Sequence, residues 1–199
     1  MAVSRLSKQS IQAGFPKQQT IWDQSTSVAG MDPIGGITLS STQSSVVFSN
    51  IPQTYTHLQL RVFAHETGTY SGGSFVGMQF NTDTSYSSTN YSGHALYGDG
   101  STTYAAGGGG GKWVYMNRVA NDSFNSNIFG CLIVDILDYT NTNKYKTVRW
   151  LGGFDANGSG RIDLDSSVWL NTSAINTMTF VYDTGAFAAN SNFALYGIK

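Results

Sequence analysis

Residues 55–65, YTHLQLRVFAH, constrain the chain most, because their apolar residues recur every second position. Leu58, Leu60, Val62 and Ala64 fall on one face. Gln59, Arg61 and His65 fall on the other, with Phe63 among them. Strand side chains leave alternately to either side, so a period of two over this length specifies a half-buried β-strand. Pro52, which has no N–H to give to a ladder, separates this run from another at 44–49, SSVVFS. Further runs of strand character lie at 74–81, 93–98, 112–119, 127–137, 145–152, 160–165, 175–182 and 192–198. Residues 127–137, NIFGCLIVDIL, are the most apolar and are expected to form a central strand. Turn residues separate the runs at Asn141 to Asn143, Asn157-Gly158 and Asp183 to Gly185. Many short strands so spaced predict an all-β fold, a jelly-roll-like β-sandwich.

Composition points the same way. The 199 residues include 24 Ser, 20 Thr, 14 Asn and 23 Gly, all poor helix formers. Charged residues are only 12% and the formal net charge is -1, so the cationic footprint of a nucleic-acid binder is missing and no such partner is expected. No apolar run approaches the roughly 20 residues that span a bilayer, and the N-terminus has no apolar core of a secretory signal, so no membrane association is expected. Cys131, the single cysteine, cannot form an intrachain disulfide. Its neighbours Phe129, Leu132 and Ile133 predict a buried thiol.

Two units are expected: an extended N-terminal arm over residues 1–30 and a β-sandwich domain over 31–199. In the arm, Arg5, Lys8 and Lys17 precede any acid, and Phe15, Ile21 and Trp22 are aromatic and aliphatic anchors that suit docking on a partner. Within the sandwich, residues 82–92 are nearly all hydroxyl, amide and Tyr. Residues 98–111 end in five consecutive glycines, Gly107 to Gly111. Such a run packs nothing and is costly to order, so it predicts a mobile loop or a place where another chain's backbone passes close.

Candidate chemistry is sparse. DANGSGRIDLD, residues 155–165, places Asp155, Asn157, Ser159 and Asp163 at the spacing of an EF-hand calcium loop, but its twelfth position is Ser166. The flanks read as strand, and Asn157-Gly158 is a strong hairpin signal, so a hairpin competes with a weak calcium site. Asp163 and Asp165 share one face of a strand, expected to be a solvated one. His57, His65 and His94 have no metal-binding spacing. No nucleophile elbow or phosphate loop occurs, and neither catalysis nor a cofactor is expected. Tyr86, Tyr91, Tyr97 and Tyr104 lie among small polar residues. They suit a subunit interface first and a glycan site second.

Four segments carry a family resemblance: FSNIPQTYTHLQLRVFAH (48–65), FNTDTSYSSTNYSGHALYGDGS (80–101), ILDYTNTNKYKTVRWLGG (136–153) and FALYGIK (193–199). Together with the opening SRLSKQSIQAGFPKQQTIWD, they resemble virion structural proteins of tailed bacteriophages, of the type found in marine and cyanobacterial phages. Similar sequences often read Asn-Gly-Asp where this chain has Asn81-Thr82-Asp83. The resemblance implies a place in the virion as an exterior appendage, tail fibre or capsid-decorating subunit, with other phage structural proteins of the capsid or tail as partners. It also implies a homo-oligomer, a trimer by analogy with other phage appendages, and as an alternative a receptor-binding tip that recognises host surface glycan. It implies no catalytic residue.

Overall fold

The computed structural model describes residues 30–182 and 184–199. The arm and its anchors Phe15, Ile21 and Trp22 lie outside the described residues. From Met31 onward the chain forms one unit containing twelve strands. These are β1 (Asp32–Thr38), β2 (Ser45–Phe48), β3 (His57–Ala64), β4 (Ser74–Phe80), β5 (Tyr91–Gly98) and β6 (Thr103–Gly111). The second half supplies β7 (Val114–Val119), β8 (Gly130–Leu137), β9 (Lys146–Asp155), β10 (Gly160–Trp169), β11 (Met178–Tyr182) and β12 (Asn192–Ile198).

All strand pairs are antiparallel, in two sheets. The larger has eight strands in the order β1-β12-β3-β8-β9-β10-β5-β6, and the smaller has four, β2-β11-β4-β7. The chain crosses between sheets as in a jelly roll, a sandwich built from two Greek keys. Here β1-β12-β3-β8 and β2-β11-β4-β7 supply the two four-stranded layers, and β9, β10, β5 and β6 extend the larger sheet beyond β8. The expected central strand is β8, between β3 and β9.

The period-two residues do what the sequence requires. Leu58, Leu60 and Val62 of β3, Leu132, Val134 and Ile136 of β8, and Phe193 and Leu195 of β12 are all buried. They meet Val46, Phe48, Met78, Phe80, Met178 and Phe180 of the smaller sheet in one core. Phe180 joins the two layers, with its ring 5.5 Å from Phe193 and 6.1 Å from Phe48. Asn81 takes the left-handed conformation usually left to glycine, with φ of 52°. Its side chain accepts the N–H groups of Asn176 and Thr177 and donates to Ala174 O, which fixes the turn after β4.

The glycine run corrects the expectation of a mobile loop. Thr103–Gly111 is β6, the edge strand of the larger sheet, hydrogen-bonded to β5. A ladder needs only backbone groups, so glycine can pair without any side chain. At Gly107 a Cβ would lie 2.4 Å from the exposed His94 ring, which would have to turn aside, and at Gly110 φ is +69°, in the left-handed region that favours glycine. Asp32–Thr38, DPIGGIT, is a second strand not anticipated, an edge strand on β12 that admits Pro33 beside a bulge.

Between the sheets' edges, Gly77 of β4 lies under the buried Trp113 indole, and an added Cβ would stand 2.7 Å from the ring. Gly77→Ala is therefore expected to lower unfolding free energy by about 2 kcal/mol in urea titrations, from overpacking. Gly108→Ala, whose Cβ meets nothing within 4 Å, is expected to change it by less than about 0.5 kcal/mol.

Candidate functional site

Strand β10 carries its polarity inside out. Ile162 and Leu164 are 61% and 51% exposed, while Asp163 and Asp165 are 2% and 7% exposed. The solvated face expected for the two aspartates is thus corrected. The register decides the phase: Asp165 pairs with Trp150 and Ser167 with Val148, both of which face inward, and Trp169 closes the strand in the core. Residues opposite one another in an antiparallel pair share a face, so Asp163, Asp165 and Ser167 must follow Trp150, Val148 and Trp169 inward.

The outer face is correspondingly apolar. Ile133, Leu151, Leu164, Leu96 and Ala105 stand in register across β8, β9, β10, β5 and β6. A second row runs through Phe63, Cys131, Gly153 and Ile162. Cys131 is exposed, correcting the buried thiol, because Leu132, Val134 and Ile136 hold the inward positions of β8. Phe63 and Phe129 stack at 5.1 Å at one end. Between the rows lies an open groove of about 720 Å³ floored by Gly152 and Gly153. The exposed large side chains of the two rows present on the order of 500 Å² of apolar surface, near the upper end of what monomers leave in water. The Asp135–Arg149 pair at 3.1 Å borders the patch.

The inner face of β10 opens into a cavity of about 450 Å³, walled by β5, the glycines of β6, β7 and Phe75 of β4. The smaller sheet is only four strands wide, and its edge strand β7 lies over β8 to β10, so β5 and β6 reach past it. Arg161 grips Asp163 with a fork, Nε donating to both carboxylate oxygens at 2.8 Å and Nη2 to Oδ1 at 2.6 Å. Its guanidinium lies 3.6 Å over the Tyr97 ring, which stacks on Tyr104 at 4.9 Å. The Arg118 guanidinium lies 4.3 Å over Phe75. Asp165 is different: its Oδ1 has no hydrogen-bond partner, and burial, with the adjacent Asp163 charge, pushes its pKa up to about 7. The Trp150 indole and Arg161 pull it back in part.

The tyrosines separate into three environments. Tyr86 is exposed, edge-on to Trp113 at 5.3 Å and beneath the Lys112 ammonium. Tyr97 and Tyr104 form the stacked pair at the cavity mouth. Tyr91 is fully buried, so it is corrected from surface contact to core: its hydroxyl accepts Phe80 N–H at 2.9 Å and donates to Asp83 O at 3.0 Å. Trp169 Nε1 and Asn90 Nδ2 also donate to the Asp83 carboxylate, at 2.8 and 2.9 Å, tying the polar segment 82–90 to the core.

The calcium-like segment is a hairpin. Asn157 and Gly158 have φ of 57° and 103°, as a primed two-residue turn demands, and join β9 to β10. Asp155 Oδ1 accepts Asn157 N–H at 2.7 Å. Asp155 pairs with Gly160 and so points outward with Ile162, opposite to the buried Asp163. Asp155, Asn157, Ser159 and Asp163 therefore cannot converge on one ion. Among the described residues, no group of three or more His, Cys, Asp or Glu could hold a metal. His65 is buried, with its ring nitrogens 2.7 Å from Ile128 O and 3.0 Å from Asp122 Oδ1.

Comparison with known proteins finds no matching family model, no matching curated protein and no matching solved structure.

The Asp165 shift has a defined sign. An aspartate free in the unfolded chain titrates near about 3.9, below the folded value of about 7, so between these the folded state holds the extra proton. Stability from this group is present at low pH and is lost as pH rises from about 4 to about 7, with a slope of up to about 1.4 kcal/mol per pH unit. In Asp165→Asn that slope is expected to flatten, which urea titrations at stepped pH measure.

Proposed function

We propose that this chain is a structural subunit of a tailed-phage virion, an exterior appendage, fibre or capsid-decorating protein that works by assembly. The observation that carries the reading is the apolar ladder Ile133–Leu151–Leu164–Leu96–Ala105 on the outside of the eight-stranded sheet. Burying such a face against a neighbour stabilises association by roughly 25 cal/mol per Å² before the entropic costs of docking. Its occupant is a second copy of the same chain. The face is a flat array of aliphatic side chains with its bordering charges already paired, Asp135 to Arg149, so a matching sheet can close on it without stranding a charge. The area each copy offers falls somewhat short of the roughly 800 Å² per partner of a standard interface, and the stacked Phe63 and Phe129 at the end of the second row add aromatic contact beyond the ladder. The same face on both copies closes as a two-fold pair, whereas the trimer expected by analogy with other phage appendages would use two different surfaces of each subunit; residues 1–30 are the arm that fixes the assembly to the particle.

Turnover chemistry is not part of this reading. Asp163 is held by Arg161, and both carboxylates come from one strand, whereas glycosidic acid–base pairs face each other across a cleft.

Light scattering on the purified protein is expected to report an oligomer at micromolar concentration. Leu151→Asp with Leu164→Asp is expected to yield a monomer with an unchanged β-rich circular dichroism spectrum. A wild-type protein that stays monomeric at about 100 µM, a concentration where even a weak contact of roughly -6 kcal/mol would populate the complex, defeats the interface. Immunogold labelling of phage particles that carry this chain is expected to decorate their exterior, and deleting residues 1–25 is expected to abolish incorporation while leaving the β domain folded.

A further inference from the structure

Two arginines line the cavity behind β10, and one of them lacks a counter-ion. Arg161 is committed to Asp163 through Nε and Nη2. Arg118, from β7, has no ion-pair partner among the described residues. Its Nη1 donates to the carbonyls of Ser71 and Gly72 at 3.4 and 3.2 Å, and its guanidinium lies 4.3 Å over Phe75 and 5.3 Å over Tyr70. Carbonyl dipoles and ring faces hold a cation in place without cancelling its charge. The Arg161 guanidinium stands 5.9 Å from the same Phe75 ring, so the two cations are neighbours. Burial and the Arg161 charge accordingly push Arg118 below the usual arginine range, with the Tyr70 hydroxyl and Asp163 opposing in part.

Each guanidinium also keeps an uncommitted nitrogen. Arg118 Nη2 and Arg161 Nη1 make no hydrogen bond among the described residues, and neither is closed off from solvent. The acids of the lining are Asp163, already held, and Asp165, which keeps its proton below about pH 7. Below that pH the lining carries a positive charge in excess, and the exposed His94 at the rim does nothing to reduce it.

We propose that this cavity binds a monocarboxylate carried on a six-membered ring, with its carboxylate set beside Arg118. One surplus charge calls for one anionic group, and a planar guanidinium with a vacant N–H edge matches a planar carboxylate. The volume of about 450 Å³ is that of a small-ligand site, far more than a bare ion fills. The body of the ligand would meet the rings of Phe75, Tyr97 and Tyr115, which suit a flat ring with an apolar face. The β6 wall keeps the space open: Gly108, in register with Gly93 on the inner face of the sheet, has nothing within 4 Å of where its Cβ would be. Two sources carry this chemistry, the uronic acid unit of an acidic polysaccharide and a benzoate-like aromatic acid. The inference goes beyond the assembly reading and stands apart from it, since the cavity and the apolar ladder are on opposite faces of β10.

The test titrates the full-length protein by isothermal calorimetry at about pH 6, where Asp165 is protonated. The ring carboxylates are methyl glucuronide, methyl galacturonide and benzoate. Methyl glucoside supplies the ring without the charge, and acetate and phosphate supply charge without the ring. At least one ring carboxylate is expected to bind with a Kd of about 1 mM or tighter, and at least about tenfold tighter than methyl glucoside, acetate or phosphate. A tighter uronide assigns the site to an acidic sugar, and a tighter benzoate assigns it to an aromatic acid. Arg118→Gln is expected to weaken binding at least about tenfold. Because Arg118 also ties down Ser71 and Gly72, Gly108→Leu serves as the second variant. It fills the cavity from the β6 wall and is expected to weaken binding at least about tenfold while the thermal midpoint is kept. Leu151→Asp with Leu164→Asp, on the other face, is expected to leave binding unchanged even where it abolishes oligomerisation. The proposal is overturned by no ring-carboxylate signal at about 50 mM, by methyl glucoside, acetate or phosphate binding as tightly, or by undiminished binding in Gly108→Leu.

Discussion

Everything in this molecule depends on an unequal match: four strands packed on eight. The aromatic and aliphatic layer around Phe180, Phe193 and Phe48 seals the smaller sheet onto the part of the larger one formed by β12, β3 and β8. The hydrophobic effect can close only the area that has an opposing wall. Past β7 there is none, so the inner face of β10, β5 and β6 cannot be finished with aliphatic side chains as β3 and β8 are. The sequence changes there from Leu, Val and Ile to Asp, Ser, Tyr, Ala and Gly.

Strand β10 shows how the fold copes with that boundary. Its inward aspartates are tolerable because Arg161 satisfies Asp163 with three charge-assisted contacts and stacks on Tyr97, so one charge is neutralised in place. Asp165 has no such partner and settles the cost through its own proton, which is why its pKa rises to about 7. The outward Ile162 and Leu164 are the complement of that arrangement. A strand that turns its polar residues inward has only apolar ones to turn outward, and the neighbours Leu151, Ile133 and Leu96 extend the pattern across the sheet. The exposed ladder and the polar cavity are thus two sides of one local inversion.

The sequence disclosed most of the strands, and the reason is visible residue by residue. In β3 the inward Leu58, Leu60 and Val62 alternate with Gln59 and Arg61, so period and phase are both legible. In β10 the period is equally clear, but RIDLDSSVW is ambiguous in phase: one face reads Ile162 and Leu164, the other Asp163 and Asp165. The usual assignment puts the aliphatic face inside. The signal that settles it is Trp169 at the strand's end, which shares a face with the aspartates and is buried. In β8, Cys131 and Ile133 are as apolar as Leu132 and Val134, so no alternation marks which face is wet. The five glycines of β6 carry no period at all, because period is a property of side chains. Tyr91 was hidden by its polar neighbours, and only the partners of its hydroxyl, Phe80 and Asp83, reveal a core residue.

The inversion also bears on why a charge-poor surface goes with this architecture. An edge strand such as β6 exposes a row of unpaired backbone groups and invites further strands to add. Proteins often blunt such edges with lysine or proline, yet β6 carries neither and is the barest strand in the chain. Its protection comes from shape: the bulge opposite Tyr91 and Gly93, with Gly110 at φ +69°, breaks the flat register an added strand would need. The exposed ladder ends on this same strand, at Ala105, where the side chain is a single methyl and the sheet is thin. Contact made through the ladder can therefore proceed face to face, sheet on sheet, while the bulged edge resists the open-ended strand addition that would produce fibres.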